Sequence, residues 1–269
     1  MDGLQETSSV IVGSCYSGIG GADAGFTSAG WQIGYQAEID PWRRRVLSRH
    51  WPSAHRLGDI RDIPGDAAVA HGACTYGPWL CYGELPDRDI KRWWPSVWAA
   101  ARATLPSWLA IECSPAVPCD RVLRDLALAG WHFRVLQVGI TLATSSLPER
   151  DWHVRDRLIV LASQSEQAVQ DLPLVAFSLR MQVDLGAIQA DRSSVEFVEA
   201  SVGLPFRWSC LCGAQLCSCS RSLRLLALRD ATPPHLTIWL AKLLDGSWKL
   251  LDGHTDGDLA LDVAAPILT

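Results

Sequence analysis

The segment Tyr16-Ser17-Gly18-Ile19-Gly20-Gly21 joins the apolar run Ser9-Val10-Ile11-Val12-Gly13 to a stretch with helical period, and it constrains the fold more than any other part of the chain. A strand, a glycine turn and a helix in that order are the opening unit of a sheet covered by helices. Glycine lets the backbone come close to a ligand, and the free N–H groups and positive dipole end of the following helix favour polar or anionic groups. An ordinary tight turn between strand and helix has the same composition, so the glycines alone do not define a site.

The acidic residues that follow narrow the choice. Glu38 comes twenty positions after Gly18, just beyond a second apolar run, Trp31-Gln32-Ile33-Gly34-Tyr35. A carboxylate at that interval reaches ribose hydroxyls. Asp59, in Gly58-Asp59-Ile60, closes a further strand–helix unit and is placed to accept from an adenine amino group. The region lacks the Lys-Ser/Thr ending of a phosphate-gripping loop, so a nucleoside-type cofactor fits better than a nucleoside triphosphate.

Apolar runs alternate with helical segments up to about residue 163, which predicts an α/β fold with a parallel sheet; strands are expected near 9–14, 32–37, 69–75, 108–112, 134–140 and 157–162. Ligands on such sheets bind beyond the carboxyl ends of the strands, where Gly18, Glu38, Asp59 and Glu112 should meet. The expected division is a cofactor-binding domain from 1–163 and 222–245, a small domain from 164–221, and a tail from 246–269. The helical stretch Pro234 to Leu244 returns to the first domain, and the Gly- and Asp-rich tail is read as a hairpin or a loose end.

With 48% apolar residues the chain can bury a substantial core. It has neither an apolar run of membrane-spanning length nor the basic start and apolar stretch of a signal peptide, so a cytoplasmic location without membrane contact is expected. In that compartment the nine cysteines are thiols, metal ligands or a nucleophile rather than disulfides. Cys210, Cys212, Cys217 and Cys219 form two CxC pairs separated by four residues in a loop-rich segment. Four thiolates at this spacing suit a structural tetrahedral zinc, with free or redox-active thiols as the alternative. The net charge of −5 supplies no broad basic footprint for nucleic acid. Arg43-Arg44-Arg45 with Arg49 is a local basic cluster, and a solvated helix face accounts for it.

The order Ser-Gly-Ile-Gly-Gly, Glu-Ile-Asp, Gly-Asp-Ile resembles the cofactor half of the DNA cytosine carbon-5 methyltransferases. Further along, Ile111-Glu112-Cys113 is similar to the family's Glu-Asn-Val strand end, and Gly130-Trp131 sits where the family often has Gly-Tyr. His153-Val154-Arg155-Asp156-Arg157 is similar to its arginine-bearing segment. Gly203-Leu204-Pro205 resembles its Gly-Phe-Pro stretch and Ala231-Thr232-Pro233-Pro234 its last motif. The match runs in family order over roughly residues 9–245. It implies a Rossmann-like S-adenosylmethionine-dependent methyltransferase sheet with a small second domain. It also implies a cofactor site at Tyr16, Gly18, Gly20, Gly21, Glu38, Ile39, Asp59 and Ile60, and DNA as partner.

Carbon 5 of cytosine is a poor nucleophile, and the family activates it by adding a thiolate to carbon 6 while an acid holds ring nitrogen 3 of a base taken out of the stack. The resemblance assigns Glu112 to nitrogen 3, and Arg155 and Arg157 to the base or its phosphate. A structural carboxylate at a strand end and an exposed strand edge are the plain alternatives. The family's Pro-Cys-Gln turn is missing. Cys81, in Tyr76-Gly77-Pro78-Trp79-Leu80-Cys81-Tyr82, follows Asp59 by 22 residues and is the candidate nucleophile; Cys74 reads as core, and Pro118-Cys119 opens a helix after Glu112 and reads as a decoy. Further departures (Cys113 and Ser114 for Asn and Val, Val154 for Arg, Arg229-Asp230 for Gly-Asn) gather at the same place. Two other functions therefore stand beside DNA methylation: transfer to a free pyrimidine nucleotide, and a non-catalytic homologue acting as a partner subunit. The tryptophans between Trp79 and Trp108 read mainly as core, with base stacking as the alternative.

Overall fold

The computed structural model describes residues 10–65, 80–84, 90–116, 118–144, 153–172, 177–183, 194–212, 218–247 and 259–260. Strand β1 (Ile11–Cys15) is an interior strand of a sheet in which it pairs in parallel with β2 (Gln32–Ala37) and β4 (Leu80–Glu84). Outward from β2 lies β3 (His55–Leu57), and outward from β4 lies β5 (Trp108–Cys113), both parallel. Strand β7 (His153–Ser163) enters between β5 and β6 (His132–Thr144), antiparallel to both. With β8 (Phe177–Val183) and β9 (Leu259–Ala260) the order among the described residues is β3-β2-β1-β4-β5-β7-β6-β8-β9.

Most of the expected strands are present. The one expected at 69–75 lies outside the described residues, and the central position next to β1 is filled by β4. The expectation of a parallel sheet is corrected at β7. Its apolar run, Leu158 to Ala162, is inserted between β5 and β6, and its side chains are buried on both faces like those of a parallel strand. Periodicity in the sequence cannot distinguish the two directions.

Helices α1 (Gly21–Ser28) and α8 (Pro234–Leu244) cover one face of the sheet, where Phe26, Leu236, Trp239 and Leu240 pack on Val12, Tyr82 and Ala110. Their approach is close: a Cβ on Gly25 would lie 2.0 Å from the Pro234 carbonyl oxygen. The other face carries α3 (Ile90–Thr104) and α4 (Asp120–Leu128), whose Trp94, Val97, Val122 and Leu126 meet Leu109 and Ile111. Adjacent β5 residues thus feed opposite layers, as strand alternation requires. Trp94 and Trp108 are core, in line with the reading of the tryptophan cluster; Trp79 lies outside the described residues.

Helix α2 (Pro41–His50) starts at Asp40, whose Oδ1 accepts from the Trp42 and Arg43 amides at 2.7 and 2.9 Å, with Pro41 in the first turn. A third apolar cluster joins α1 and α2 to α6 (Val195–Ser201) and α7 (Arg221–Arg229) through Ile19, Leu47, Trp51, Val202, Trp208 and Leu228. The division expected at residue 164 does not coincide with a break in packing. Helix α5 (Glu166–Gln170) places Val169 in the main core, β8 extends the sheet, and Trp208 sits against α2.

Asp23, in the first turn of α1, is fully buried, with Oδ2 accepting from Gln36 Nε2 at 2.7 Å. Burial raises its pKa to about 6, although the Gln36 hydrogen bond opposes the shift. The folded state therefore holds a proton that the unfolded state releases, and this group's contribution to stability falls as pH rises from about 4 to 6. Asp23→Asn is expected to remove about 2–3 kcal/mol of that decline, giving a variant more stable than wild type at pH 8 but not at pH 4. Denaturant midpoints of the two proteins across this range provide the check.

Candidate active site

The carboxyl ends of β1, β2 and β3 open into a cavity of about 1100 Å³ lined by Tyr16, Gly18, Gly21, Glu38, Ile39, Asp59 and Ile60 among others. Seven of the eight residues that the family resemblance assigned to a cofactor therefore share one wall. Gly20 does not line the cavity. At φ 81° it turns the chain into α1, and a Cβ there would lie 2.3 Å from the Trp51 ring.

Glu38 is prepared for a ligand by the glycine turn. Its Oε2 accepts from the Gly18 amide at 2.9 Å and its Oε1 from the Asp40 amide at 2.8 Å, which fixes both oxygens and leaves further lone pairs toward the cavity. Burial raises its pKa, against the opposing pull of these amides and of Arg43. Asp59 is exposed enough to be gripped by its neighbour: Arg61 donates through Nε to both carboxylate oxygens at 3.0 Å, and this pairing lowers the Asp59 pKa. Ile39 presents an apolar side chain, 67% exposed, beside them. Tyr16 stands at φ 57° with its ring 5.5 Å from Trp93, edge to face; its hydroxyl donates to the Trp93 carbonyl, and burial pushes its pKa up to about 12. Two carboxylates, an apolar surface and an aromatic ring form a set of groups that fits an adenosine-type group.

Across the cavity, Glu112 at the end of β5 is completely buried. Arg157 Nε donates to its Oε1 at 2.6 Å, Thr232 Oγ1 donates to Oε2 at 2.8 Å, and the Tyr82 hydroxyl also donates to Oε2. Glu112 therefore lies behind the wall, and the cavity meets its partners Arg157, Tyr82 and Thr232. Neither Tyr82 nor Thr232 was singled out in the sequence, although strand alternation from Glu84 puts Tyr82 on the Glu112 side. Arg155 is on β7 opposite Ile140, two residues from Arg157, and its side chain lies outside the described set. Arg43, Arg61, Arg92 and Arg229 also line the cavity, supplying locally the positive charge that the whole chain lacks.

Cys81 is the residue read from the sequence as the candidate nucleophile. It occupies no turn: it lies within β4, its backbone in register with Gly13 on one side and Leu109 on the other, three residues before Glu84, which is level with Glu112. At roughly 3.3 Å per residue that is about 10 Å back along the strand. The stretch Leu80-Cys81-Tyr82 extends because the sheet needs a strand between β1 and β5 and its residues suit one. Cys113 does line the cavity, with its sulfur 3.3 Å from that of Cys119 at the start of α4. That contact, with burial, pushes the Cys113 thiol well up, and the same contact lowers that of Cys119 against the opposing effect of burial. Cys74 lies outside the described residues.

Of the cysteine array, Cys210, Cys212 and Cys219 come together, their sulfurs all within 4.8 Å of one another. Cys217 lies outside the described residues.

No family model matches the chain. It is 27% identical over 164 residues to the type II methyltransferase M2.BsuMI of Bacillus subtilis (strain 168), a match covering 57% of this chain and 42% of that protein. The chain thus aligns with less than half the length of that relative. Among solved structures it resembles a Spodoptera frugiperda DNMT2 mutant, with a TM-score of 0.60 at 9% identity over 88% of this chain and 100% of that one. It also resembles the S. pombe Dnmt2 methyltransferase, with a TM-score of 0.54 at 12% identity over 88% and 99%. At these identities the structures establish the fold alone, a Rossmann-like sheet of the kind these methyltransferases have, and in the order of its motifs the chain resembles the DNA (cytosine carbon-5) methyltransferases without carrying their Pro-Cys-Gln tripeptide.

Proposed function

We propose that this chain is an S-adenosylmethionine-dependent methyltransferase that acts on DNA, at carbon 5 of cytosine. The observation that carries this reading is the joining, at one cavity, of the Glu38–Asp59 wall to the Arg157–Glu112 pair. Glu38 would hold the ribose hydroxyls through lone pairs left by the Gly18 and Asp40 amides, and Asp59 the adenine amino group once Arg61 swings aside. S-adenosylmethionine, when bound, supplies the methyl group. Arg157 would orient the flipped cytosine, and Glu112 would share a proton with ring nitrogen 3 as Tyr82 and Thr232 give way. Addition of a thiolate to carbon 6 and methyl transfer to carbon 5 would be followed by elimination, in which loss of the carbon-5 proton restores the ring double bond and expels the thiolate from carbon 6, with Cys81 as the proposed thiol.

The position of Cys81 inside β4 favours a second reading, in which the chain binds cofactor or DNA as the non-catalytic partner of another subunit. Purified protein incubated with labelled S-adenosylmethionine and mixed-sequence DNA, followed by nucleoside mass spectrometry, decides between them. The expected product is 5-methylcytosine, lost in Cys81→Ser while cofactor binding persists. Binding without product would support the partner reading, and label appearing only in added free pyrimidine nucleotide would move the acceptor. Glu38→Ala should weaken cofactor binding by about 10–100-fold in calorimetry, through the loss of charge-assisted hydrogen bonds.

A further inference from the structure

The cysteine array is independent of the methyl-transfer reading and lies away from the cavity. Cys210 is buried, Cys219 half-buried and Cys212 exposed, with the Cys210 and Cys212 sulfurs 3.3 Å apart. Three sulfurs bound to one tetrahedral zinc at ~2.3 Å lie roughly 3.8 Å from one another, so the observed spread needs only a small adjustment. Two donors point at the sulfurs. The Leu211 amide donates to Cys219 Sγ at 3.2 Å, and Arg207 Nη2 donates to Cys210 Sγ at 3.5 Å. Donors directed at sulfur orient the ligand.

The position of the cluster gives the metal a task. Cys210 and Cys212 follow α6 in the chain and Cys219 immediately precedes Ser220, the cap of α7, so the three sulfurs bring residues from the two sides of the connection between these helices together. On the near side, Arg49 of α2 donates to the Cys210 carbonyl, His50 Nε2 lies 2.9 Å from the Trp208 carbonyl, and the His50 and Trp208 rings stack at 3.6 Å. Trp208 Nε1 in turn donates at 2.8 Å to the carbonyl of Ile19, within the glycine turn. Between them Arg207 holds a left-handed φ of 60°, a conformation that an arginine keeps only when its surroundings impose it.

We propose that Cys210, Cys212 and Cys219 bind one zinc ion as thiolates, and that the ion pins the loop between α6 and α7 against α2 and the glycine turn. Binding releases the thiol protons, and its free energy becomes folding free energy for this segment.

Metal analysis of the full-length protein, purified under reducing conditions and then supplied with zinc and desalted, should find about one zinc per chain. Replacement by Co²⁺ should give the visible ligand-field and sulfur-to-metal charge-transfer bands of a tetrahedral thiolate site. Cys212→Ser, at the exposed ligand, should weaken zinc binding at least about 100-fold, whereas Ser218→Ala should leave it unchanged. Should the cysteine variant fail to fold, the Co²⁺ spectrum of the unaltered protein still decides. Substoichiometric zinc in the supplied wild type, a Co²⁺ spectrum without thiolate bands, or a Cys210–Cys212 disulfide persisting under these conditions would overturn the proposal.

Discussion

Arg224→Ala is expected to destabilise the protein by about 3–5 kcal/mol, the cost of leaving a buried carboxylate without its cation. Arg224 of α7 is nearly inaccessible. Its Nη2 lies 2.9 Å from Glu199 Oε1, its Nη1 3.1 Å from Glu196 Oε1, and its Nε donates to Ser209 Oγ at 2.8 Å. Glu199 is itself fully buried and also accepts from the Ser209 amide at 2.8 Å, so one guanidinium fork joins α6, α7 and the loop that leads to the cysteines. A shift of roughly 10 °C in thermal midpoint corresponds to the lower part of that range for a chain of this size. Arg224→Lys keeps the charge but loses the fork, and should recover only part of the stability. In a double-mutant cycle, Glu199→Gln should be far less harmful in the Arg224→Ala background than alone, because the charge left unpaired is then gone. Equal and additive losses would show that the pair is not coupled as the geometry requires.

The second large effect concerns activity. Glu112→Gln is expected to reduce methyl transfer by about 10²–10⁴-fold while leaving cofactor affinity within a fewfold of wild type, since Glu112 touches none of the Glu38 wall. The amide retains an oxygen for Thr232 or Tyr82, and Arg157 is 18% exposed, so water can solvate the guanidinium once its partner is neutral. The fold should therefore survive, with a denaturant midpoint close to wild type. Arg157→Ala is the informative contrast: it leaves Glu112 charged and buried, and should damage stability as well as turnover. A Glu112→Gln protein that transfers methyl groups at the wild-type rate would remove Glu112 from the proposed chemistry.

These expectations depend differently on sequence and structure. Glycine turns, a carboxylate twenty positions on and the apolar period of α8 are local signals, and local signals report local backbone conformation. They placed β1, β2, β5 and α8 within a residue or two, and seven of the eight residues that the resemblance assigned to a cofactor line one cavity. Contacts between distant segments left no such trace. That Glu112 is closed in by Tyr82 and Thr232, from a neighbouring strand and from the turn before α8, depends on two chain reversals. The antiparallel direction of β7 depends on how a hairpin closes, since a strand buried on both faces looks the same in sequence whichever way it runs.

Cys81 shows the limit most clearly. Its interval from Asp59 matched that of a nucleophile, but the interval counts residues and does not register where a strand ends. By itself the sequence determined the class of sheet, the glycine turn and the cysteine array, because each is written in the spacing of nearby residues. Only the tertiary structure decided that Cys81 sits within β4, that Glu112 lies behind its partners, and that three sulfurs meet beside α2. Those outcomes are set by strand register and by packing between segments far apart in the chain.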